Sequence, residues 1–339
     1  MAANNRDHFV DAPPKDTVSS LCWAPKSDFL VSTSWDGEAR CWQVAKQGNR
    51  LQSMAKALKA NPAPLLCSDF YTDSQTVFYG GADNKVQAWT LGRDALKQVA
   101  AHQAPVSCLQ WLEQPGCLVT GSWDRTIKYW DPRKPSPLMG TVHMPGRVYS
   151  LNAKHSLLVV GCSERKTPIF DLKKPTEIWK TLDSPLKQQT RTVACLKDAN
   201  GFAIGSIEGR CAIHYISAND QKNNFAFKCH RNPNQNDVYP INEISFHPGF
   251  GTFATCGSDG SWAFWDHNSR QRLKACEVLP HPITAGRFNH NGHLYAYASA
   301  YDWHKGIQGY PKTNFSVQIG IHDTPVNEIK PRRRRSGRR

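Results

Sequence analysis

The chain has 339 residues, with 42 Lys or Arg against 28 Asp or Glu, and a formal net charge of +14. A hydrophobic content of 40% indicates a folded protein, and no apolar run reaches the ~18 residues of a membrane helix. From the polar N-terminus we expect no secretory leader. We therefore expect a soluble intracellular protein without membrane insertion.

The N-terminal segment, residues 1–17, precedes the first repeat described below. Its central stretch "DHFVDAPPKD" is too short to form a sheet of its own. We predict that it supplies an outer strand to the last repeat and so closes a ring.

An acidic residue recurs in a turn at separations of 40 to 51 residues. The seven positions are Asp36, Asp83, Asp124, Glu164, Glu208, Asp259 and Asp302. An aromatic residue follows five of them by six positions, namely Trp42, Trp89, Trp130, Phe170 and Trp265. Tyr215 comes one residue late in the fifth repeat, and the seventh has Gln308 instead. A period of about 40–45 residues is typical of four-stranded propeller blades.

The segments around these turns are short, apolar or alternating, such as "FLVSTSW" and "CLVTGSW", and Gly, Pro, Asn or Asp bounds them. This pattern predicts β-strands, and no long amphipathic helix interrupts them. We predict an all-β fold, a seven-bladed β-propeller over residues 18–325, whose closed ring removes long exposed sheet edges.

The C-terminal residues 326–339 include "KPRRRRSGRR" and are predicted to form a disordered basic tail. Six of the fourteen excess positive charges lie there, so the body still carries +8, which favours acidic partners. Two roles remain open for the tail, a nuclear-import signal or a salt-sensitive RNA contact. The arginines concerned are Arg332, Arg333, Arg334, Arg335, Arg338 and Arg339.

The third repeat, "GSWDRTIKYWD", resembles the WD-repeat family, and the likeness extends over roughly residues 7–325. The resemblance implies a hydrogen-bonded structural tetrad of His102, Ser122 (or Thr120), Asp124 and Trp130. The same His, Ser and Asp could be mistaken for a hydrolase triad. A buried carboxylate and imidazole satisfy each other's hydrogen bonds, which favours the structural interpretation. We assign His281 the corresponding role in the seventh repeat.

No phosphate-binding loop, metal-protease motif or dinucleotide fingerprint is present, so we expect neither an enzyme nor a cofactor. The eleven cysteines are scattered, without a Cys-x-x-Cys pair, and most stand in strand-like contexts. We interpret them as reduced core residues rather than as disulfides or zinc ligands.

Six of the seven turns carry a cation within four residues of the acid. They are Arg40, Lys85, Arg125, Arg165 with Lys166, Arg210 and Lys305. These side chains are either merely solvated or form a positive ring suited to an acidic peptide or to phosphate. Arg210, in "GSIEGRCAIHY", could grip a partner carboxylate or pair internally with Glu208.

The seventh turn, "ASAYDWHKGIQGYP", has no aromatic at Gln308. We therefore interpret Trp303 as a surface anchor rather than as a tetrad residue. Lys305 beside it would add a cation to the same face.

Longer stretches, including "DSPLKQQTRTVACLKD", "GSIEGRCAIHYI", "NNFAFKCHR" and "FNHNGHLYAYASAYDWHKG", resemble the Gle-type WD-repeat mRNA export family of the nuclear pore. The related Bub-type mitotic-checkpoint propellers are the nearest alternative, but "FKCHR" and "YAYASAYDW" favour the export group. The Arg-rich end is more basic than the family leads us to expect.

This resemblance implies a non-enzymatic adaptor, a monomer within a heteromeric complex, that binds an acidic GLEBS-type nucleoporin segment and contacts mRNA. It implies partner-binding roles for Arg210, Asp302, Trp303 and Lys305; the cation pattern adds Lys85, Arg125 and Arg165. It also implies a place in the nucleus and at the nuclear pore, with some cytoplasmic pool, and tubulin- or ubiquitin-related binding. A checkpoint adaptor for kinetochore proteins and a primarily RNA-binding propeller remain alternatives.

Overall fold

The computed structural model describes residues 7–48, 50–93, 95–232, 234, 236–310 and 315–332. Within them, the chain forms seven antiparallel four-stranded sheets and one two-stranded hairpin. The predicted all-β, seven-bladed propeller is confirmed.

The first three blades follow the chain without interruption. Blade 1 comprises β2 (Val18–Trp23), β3 (Phe29–Ser34), β4 (Glu38–Gln47) and β5 (Arg50–Ala60). Blade 2 comprises β6 (Leu65–Phe70), β7 (Thr76–Gly81), β8 (Lys85–Thr90) and β9 (Leu96–Ala101). Blade 3 comprises β10 (Val106–Leu112), β11 (Cys117–Ser122), β12 (Thr126–Trp130) and β13 (Leu138–His143).

The next three blades repeat this order, with a small hairpin inserted after the fifth. Blade 4 comprises β14 (Val148–Lys154), β15 (Leu157–Cys162), β16 (Lys166–Asp171) and β17 (Lys180–Asp183). Blade 5 comprises β18 (Thr190–Cys195), β19 (Gly201–Ser206), β20 (Arg210–Tyr215) and β21 (Phe225–Lys228). The hairpin is β22 (Arg231–Asn232) with β23 (Asp237–Val238). Blade 6 comprises β24 (Ile241–Phe246), β25 (Phe253–Gly257), β26 (Trp262–Asp266) and β27 (Gln271–Ala275).

Blade 7 combines the two ends of the chain. It comprises β28 (Ile283–Phe288), β29 (Leu294–Ser299), β30 (Gln318–Asp323) and, as its outer strand, β1 (Asp7–Phe9). Asp7 stands opposite His322, and its carboxylate accepts hydrogen bonds from Tyr297 Oη and His322 Nδ1, both at 2.6 Å. The predicted closure of the ring by the N-terminal segment is confirmed. Gln308 lies in the long segment before β30, which explains the missing aromatic.

Every innermost strand carries a β-bulge at its second residue. In four blades the side chain of this bulge residue donates a hydrogen bond to a backbone carbonyl of the next blade. The donor and acceptor pairs are Ser19 to Leu65, Ser107 to Val148, Asn242 to Ile283 and Thr284 to Val18, at 2.7–2.8 Å. In these four blades the polar side chain at the bulge links one sheet to the next, whereas the bulge of β6 carries Leu66.

A second set of hydrogen bonds between blades, the inter-blade bridges, is formed three residues further along the innermost strands. Side-chain oxygens accept the backbone N–H of the following blade. The pairs are Asp69 with Trp111, Gln110 with Ala153, Asn152 with Cys195 and Ser245 with Phe288, at 2.7–3.2 Å. Because each bridge joins neighbouring blades, the ring is held by hydrogen bonds as well as by apolar packing.

The apolar core lies between neighbouring blades rather than within one of them. One cluster packs Val119 and Tyr129 of blade 3 against Leu151 and Phe170 of blade 4. Another joins Leu21 and Trp42 of blade 1 to Ala296, Ile319 and Ile321 of blade 7.

All eleven cysteines are free, and nine of them are buried. Burial raises the pKa of the Cys117 thiol to about 11.

The segment after β30 differs from the predicted tail. A one-turn helix, α1 (Val326–Ile329), follows the last strand, and Ile329 is buried in the core cluster between blades 6 and 7. Thr252 Oγ1 donates to the carbonyl of Ile329 at 2.9 Å. The prediction that the disordered tail begins at residue 326 is therefore wrong for residues 326–332, because the buried side chain of Ile329 anchors this segment.

Three further helical turns, Ser163–Arg165, Gln221–Asn223 and Ile307–Gly309, lie in loops. In the part of the chain that the structure describes, no helix has the length and apolar character needed to cross a membrane.

Candidate peptide-binding face

The turns between second and third strands all emerge at one end of the ring, which we call the turn face. The turn acids fix these turns to the preceding loops. Asp124 accepts the backbone N–H groups of Gln103 at 3.0 Å and Thr126 at 2.9 Å. Glu208 likewise accepts the N–H of Lys187 at 2.9 Å. Most of the repeated acids therefore have a structural role.

The tetrad of blade 3 is a chain of buried hydrogen bonds. Trp130 Nε1 donates to Thr120 Oγ1 at 2.8 Å, Thr120 Oγ1 lies 2.7 Å from His102 Nε2, and His102 Nδ1 lies 2.9 Å from Asp124. The choice of Ser122 was wrong, because its hydroxyl donates to the carbonyl of Ala104 instead. Thr120 is the residue whose side chain faces both rings.

The tetrad histidine is suited to structure rather than to catalysis. Burial lowers the pKa of His102 and outweighs the opposing attraction of Asp124. The neutral ring then donates to Asp124 through Nδ1 and accepts from Thr120 through Nε2.

Blade 6 contains a second tetrad. His230 Nδ1 lies 2.9 Å from Asp259, its Nε2 lies 2.8 Å from Thr255 Oγ1, and Trp265 Nε1 donates to Thr255 at 2.9 Å. Sequence reasoning missed His230 because the inserted hairpin separates it from its turn acid by 29 residues. His281 does not take the corresponding position in blade 7: its described contacts are a carbonyl that accepts from Ser299 and a ring contact with Phe315.

The predicted cations of the turn face differ in their accessibility. Lys85, Arg125 and Lys305 are exposed. Arg165 is also exposed, and its guanidinium donates to the carbonyl of Leu186 at 3.3 Å. Arg40, in contrast, is paired with Glu38 and donates to the carbonyl of Ala12, so it belongs to the structure of blade 1.

Arg210 stands at the start of β20 with 36% of its side chain exposed. Its Nε lies 3.8 Å from a Glu208 carboxylate oxygen, an ion pair too long for a hydrogen bond. Arg231, which sequence reasoning missed, donates to the carbonyls of Gly209 at 3.1 Å and Glu208 at 2.6 Å. Gly209 has φ 60°, and a Cβ there would lie 2.7 Å from the carbonyl oxygen of Cys229. The turn that presents Arg210 is thus rigid while the guanidinium is accessible.

Asp302 holds the seventh turn in place through its nearly buried carboxylate. Its side chain is only 3% exposed and contacts the ring of His304. Burial acts to raise the pKa of Asp302, but hydrogen bonds from Ser258 and His304 outweigh it and hold the pKa below its usual range. Because so little of the carboxylate is exposed, Asp302 orients the turn rather than presenting a charge to solvent.

Trp303 is half-buried in an aromatic platform that consists of Trp35, Tyr301, Trp303 and Tyr310. Its ring centroid lies 5.6 Å from those of Trp35 and Tyr301 and 5.4 Å from that of Tyr310. Its Nε1 donates to Thr17 Oγ1 at 3.1 Å. Trp35 is 39% exposed, so the platform faces solvent.

Two further residues of this face were missed. Trp123 is 39% exposed, and like Trp35 it is the Trp of a Trp-Asp pair in a turn, which was the available signal. Arg191 occupies the bulge of β18, where its side chain is accessible to solvent; the surrounding protein nevertheless lowers the pKa of Arg191, and the charge of Asp302 only partly opposes that shift.

The turn face therefore combines exposed indole rings with cations on a rigid frame. Such a surface can hold a chain that carries both apolar and acidic side chains. Among the described residues, no group of His, Cys, Asp or Glu could hold a metal ion.

Comparison with known proteins agrees with this architecture. The family model "WD domain, G-beta repeat" matches residues 7–43, 94–131 and 222–266. A solved WD40 β-propeller domain of Doa1 superimposes with a TM-score of 0.72 at 17% identity, covering 94% of this chain and 97% of that one. This similarity establishes the fold alone.

Curated relatives match nearly the whole chain. The mRNA export factor GLE2 of Chaetomium thermophilum is 44% identical over 96% of this chain and 92% of its own length. The poly(A)+ RNA export protein of Schizosaccharomyces pombe is 42% identical over 96% and 93% of the two chains. Protein Rae1 of Drosophila melanogaster is 39% identical over 96% of both.

The chain belongs to the mRNA export factor family. Membership of this family supports a role in mRNA export and in transport between nucleus and cytoplasm. The WD repeats of this chain and its membership of the mRNA export factor family point to a scaffold role.

Proposed function

We propose that this protein is an export adaptor whose turn face binds an acidic nucleoporin segment, with RNA contacted by its basic surface or tail. The observation that carries the proposal is the aromatic platform beside exposed cations. Lys305 is two residues from Trp303, and Trp35 and Trp303 stack at an interplanar angle of 27°. Family membership adds the link to mRNA export.

Binding combines two physical effects. Exposed cations attract the acidic segment and orient it during encounter. Rigid aromatic side chains then bury apolar residues of the segment at little cost in conformational entropy, because blade packing already holds the platform. Arg210 contributes a planar guanidinium that can form a bidentate pair with a carboxylate.

The test is a calorimetric titration of the whole chain with an acidic GLEBS-type nucleoporin hairpin. Arg210→Glu is expected to weaken binding at least ~10-fold, since it replaces attraction by repulsion. Lys56→Glu, on the exposed outer strand of blade 1, makes the same charge change away from the turn face and should bind as the wild type does. Equal affinity of the folded Arg210→Glu protein would overturn the assignment.

A competition experiment separates this adaptor from a checkpoint adaptor. The nucleoporin hairpin and an acidic kinetochore-protein hairpin of equal length are titrated against the same sample. The proposed function requires that the nucleoporin segment bind more tightly. Tighter binding of the kinetochore segment would favour the alternative.

A further inference from the structure

An aromatic groove lies on the outer wall of the ring, between blades 5 and 6. We define it by Phe225 and Phe227 of β21, Phe253 and Trp265 of blade 6, and Arg270. The ring of Phe227 lies 6.0 Å from that of Phe225, 6.3 Å from Phe253 and 4.7 Å from Trp265. These side chains line an open cavity of about 320 Å³.

The aromatic rings of the groove pack against the core cluster of blades 5 and 6 and still leave surface exposed. Phe253 is fully buried, but Phe225, Phe227 and Trp265 are only partly buried, so their rings face the cavity. The corresponding outer strand of blade 4, β17, reads "KTLD", whereas β21 reads "FAFK". Partly exposed aromatic side chains around a cavity are typical of the centre of a protein interface.

Positive charge surrounds this apolar surface. The guanidinium of Arg270 lies over the ring of Phe225, 4.6 Å from its centroid, and Lys228 is exposed at the other end of β21. The acidic residue of the lining, Asp266, is 1% exposed and accepts hydrogen bonds from Ser269 and from the backbone of Arg332. The charges that the groove presents to solvent are therefore positive, which favours an acidic partner.

The geometry favours a peptide over a nucleic acid. β21 is the last strand of its sheet, so its outer edge offers main-chain donors and acceptors to an added strand. The rings of Phe227 and Trp265 are tilted by 50° and enclose a cavity between two sheets, whereas base stacking needs open, parallel ring faces.

We propose that the aromatic groove binds an extended acidic peptide, which adds to the edge of β21 and places an apolar side chain between Phe225 and Trp265. Arg270 and Lys228 would pair with carboxylates on either side of that apolar residue. This second docking surface lies on blades 5 and 6, whereas the aromatic platform of the turn face is formed by blades 1 and 7.

The test uses the full chain and a panel of fluorescein-labelled nonapeptides, each with a central Phe or Leu flanked by Glu and Val. A matched panel carries Lys in place of Glu, and a U15 oligonucleotide represents nucleic acid. Fluorescence anisotropy is expected to detect binding of the acidic panel, and hydrogen exchange should slow in residues 225–228. Phe225→Ser and Arg270→Glu should each weaken binding at least ~10-fold.

Two controls make the result specific. Trp179→Ser removes an exposed aromatic of blade 4, and Lys56→Glu repeats the charge change on blade 1; each should leave peptide affinity unchanged. Phe225→Leu keeps apolar packing if the Ser variant unfolds, and it should bind more weakly than wild type. The proposal is overturned if no acidic peptide binds, if Lys peptides bind equally, if both groove variants bind normally, or if only U15 binds at this groove.

Discussion

The hydroxyl of Thr120 forms hydrogen bonds with two buried rings, those of Trp130 and His102. It accepts from Trp130 Nε1 and donates to His102 Nε2, and all three side chains are buried. A valine has nearly the same shape but can do neither, so both ring nitrogens would lose their buried partner.

We expect Thr120→Val to lower the free energy of unfolding by about 2 kcal/mol, within the range of about 1–3 kcal/mol for an unsatisfied buried group. Chemical denaturation measures the change. Thr141→Val, at an exposed position on β13, is the control and should stay within about 0.5 kcal/mol of wild type. Equal losses in both variants would contradict a special role for Thr120.

Asp69 is the ionisable member of the second set of inter-blade bridges. Burial raises the pKa of Asp69 to about 6, although the N–H of Trp111 and the charge of Arg287 oppose that shift. Between the unfolded pKa of about 3.9 and this value, the folded state holds a proton that the unfolded state has lost. Stability from this group therefore falls as pH rises from about 4 to about 6.

Asp69→Asn keeps an oxygen that can accept from Trp111 but removes the titration. We expect the variant to gain stability relative to wild type as pH rises from 4 to 7. Urea unfolding at several pH values measures this difference, with the exposed Asp198→Asn as a control for loss of a carboxylate. A difference that is constant with pH would refute the expected role of burial.

At the scale of elements, a cluster of three side chains joins both chain ends to blade 7. His322 of β30 contacts Asp7 of β1 at 2.6 Å and Glu328 of α1 at 3.0 Å. Burial acts to lower the pKa of His322, but the two carboxylates outweigh it, so the pKa lies above its usual range. Stabilisation by this cluster is therefore complete below about pH 6.5 and is lost as pH rises through the raised pKa.

Asp7→Asn should lower the free energy of unfolding by about 2 kcal/mol at pH 6, as expected for loss of a charged hydrogen bond, and by less at pH 9. Thermal or urea unfolding at both pH values measures this. Asp11→Asn is the matched control in the same segment, because that side chain is exposed and only its carbonyl bonds to Trp42. A loss that grows with pH would contradict the assignment.

At the scale of the whole molecule, net positive charge governs contact with polyanions. Five arginines lie beyond Arg332, outside the described residues, while Arg332 itself is held by Asp266 and by the carbonyl of Leu273. Contacts with RNA phosphates release counterions, so each cation that takes part steepens the dependence of affinity on salt.

Truncation after Arg332 should weaken binding of single-stranded RNA and reduce the slope of log affinity against log salt by up to about 3.5, at ~0.7 per lost phosphate contact. Titrations at several salt concentrations measure the slope. The truncated chain should unfold at the same temperature as the full chain, since Ile329 and Arg332 remain. An unchanged slope would place RNA contact on the propeller body.

The sequence by itself determined the architecture, because seven turn acids and their spaced aromatics encode one blade each. It also determined the family, through stretches such as "GSIEGRCAIHYI". The local sequence pattern could not distinguish Thr120 from Ser122 as the tetrad residue. The two lie only two positions apart, and the fold decides which of their side chains faces the tetrad rings.

Only the tertiary structure decided which groups are accessible and which are already engaged. In the folded chain, the side chains of Asp302 and Arg40 are largely buried. Trp35 stacks on Trp303, which lies 268 positions further along the chain, and His230 pairs with Asp259 across an inserted hairpin. It also placed Phe225 and Phe227 beside Trp265. Such contacts join different blades, and burial and charge at each depend on the closed ring.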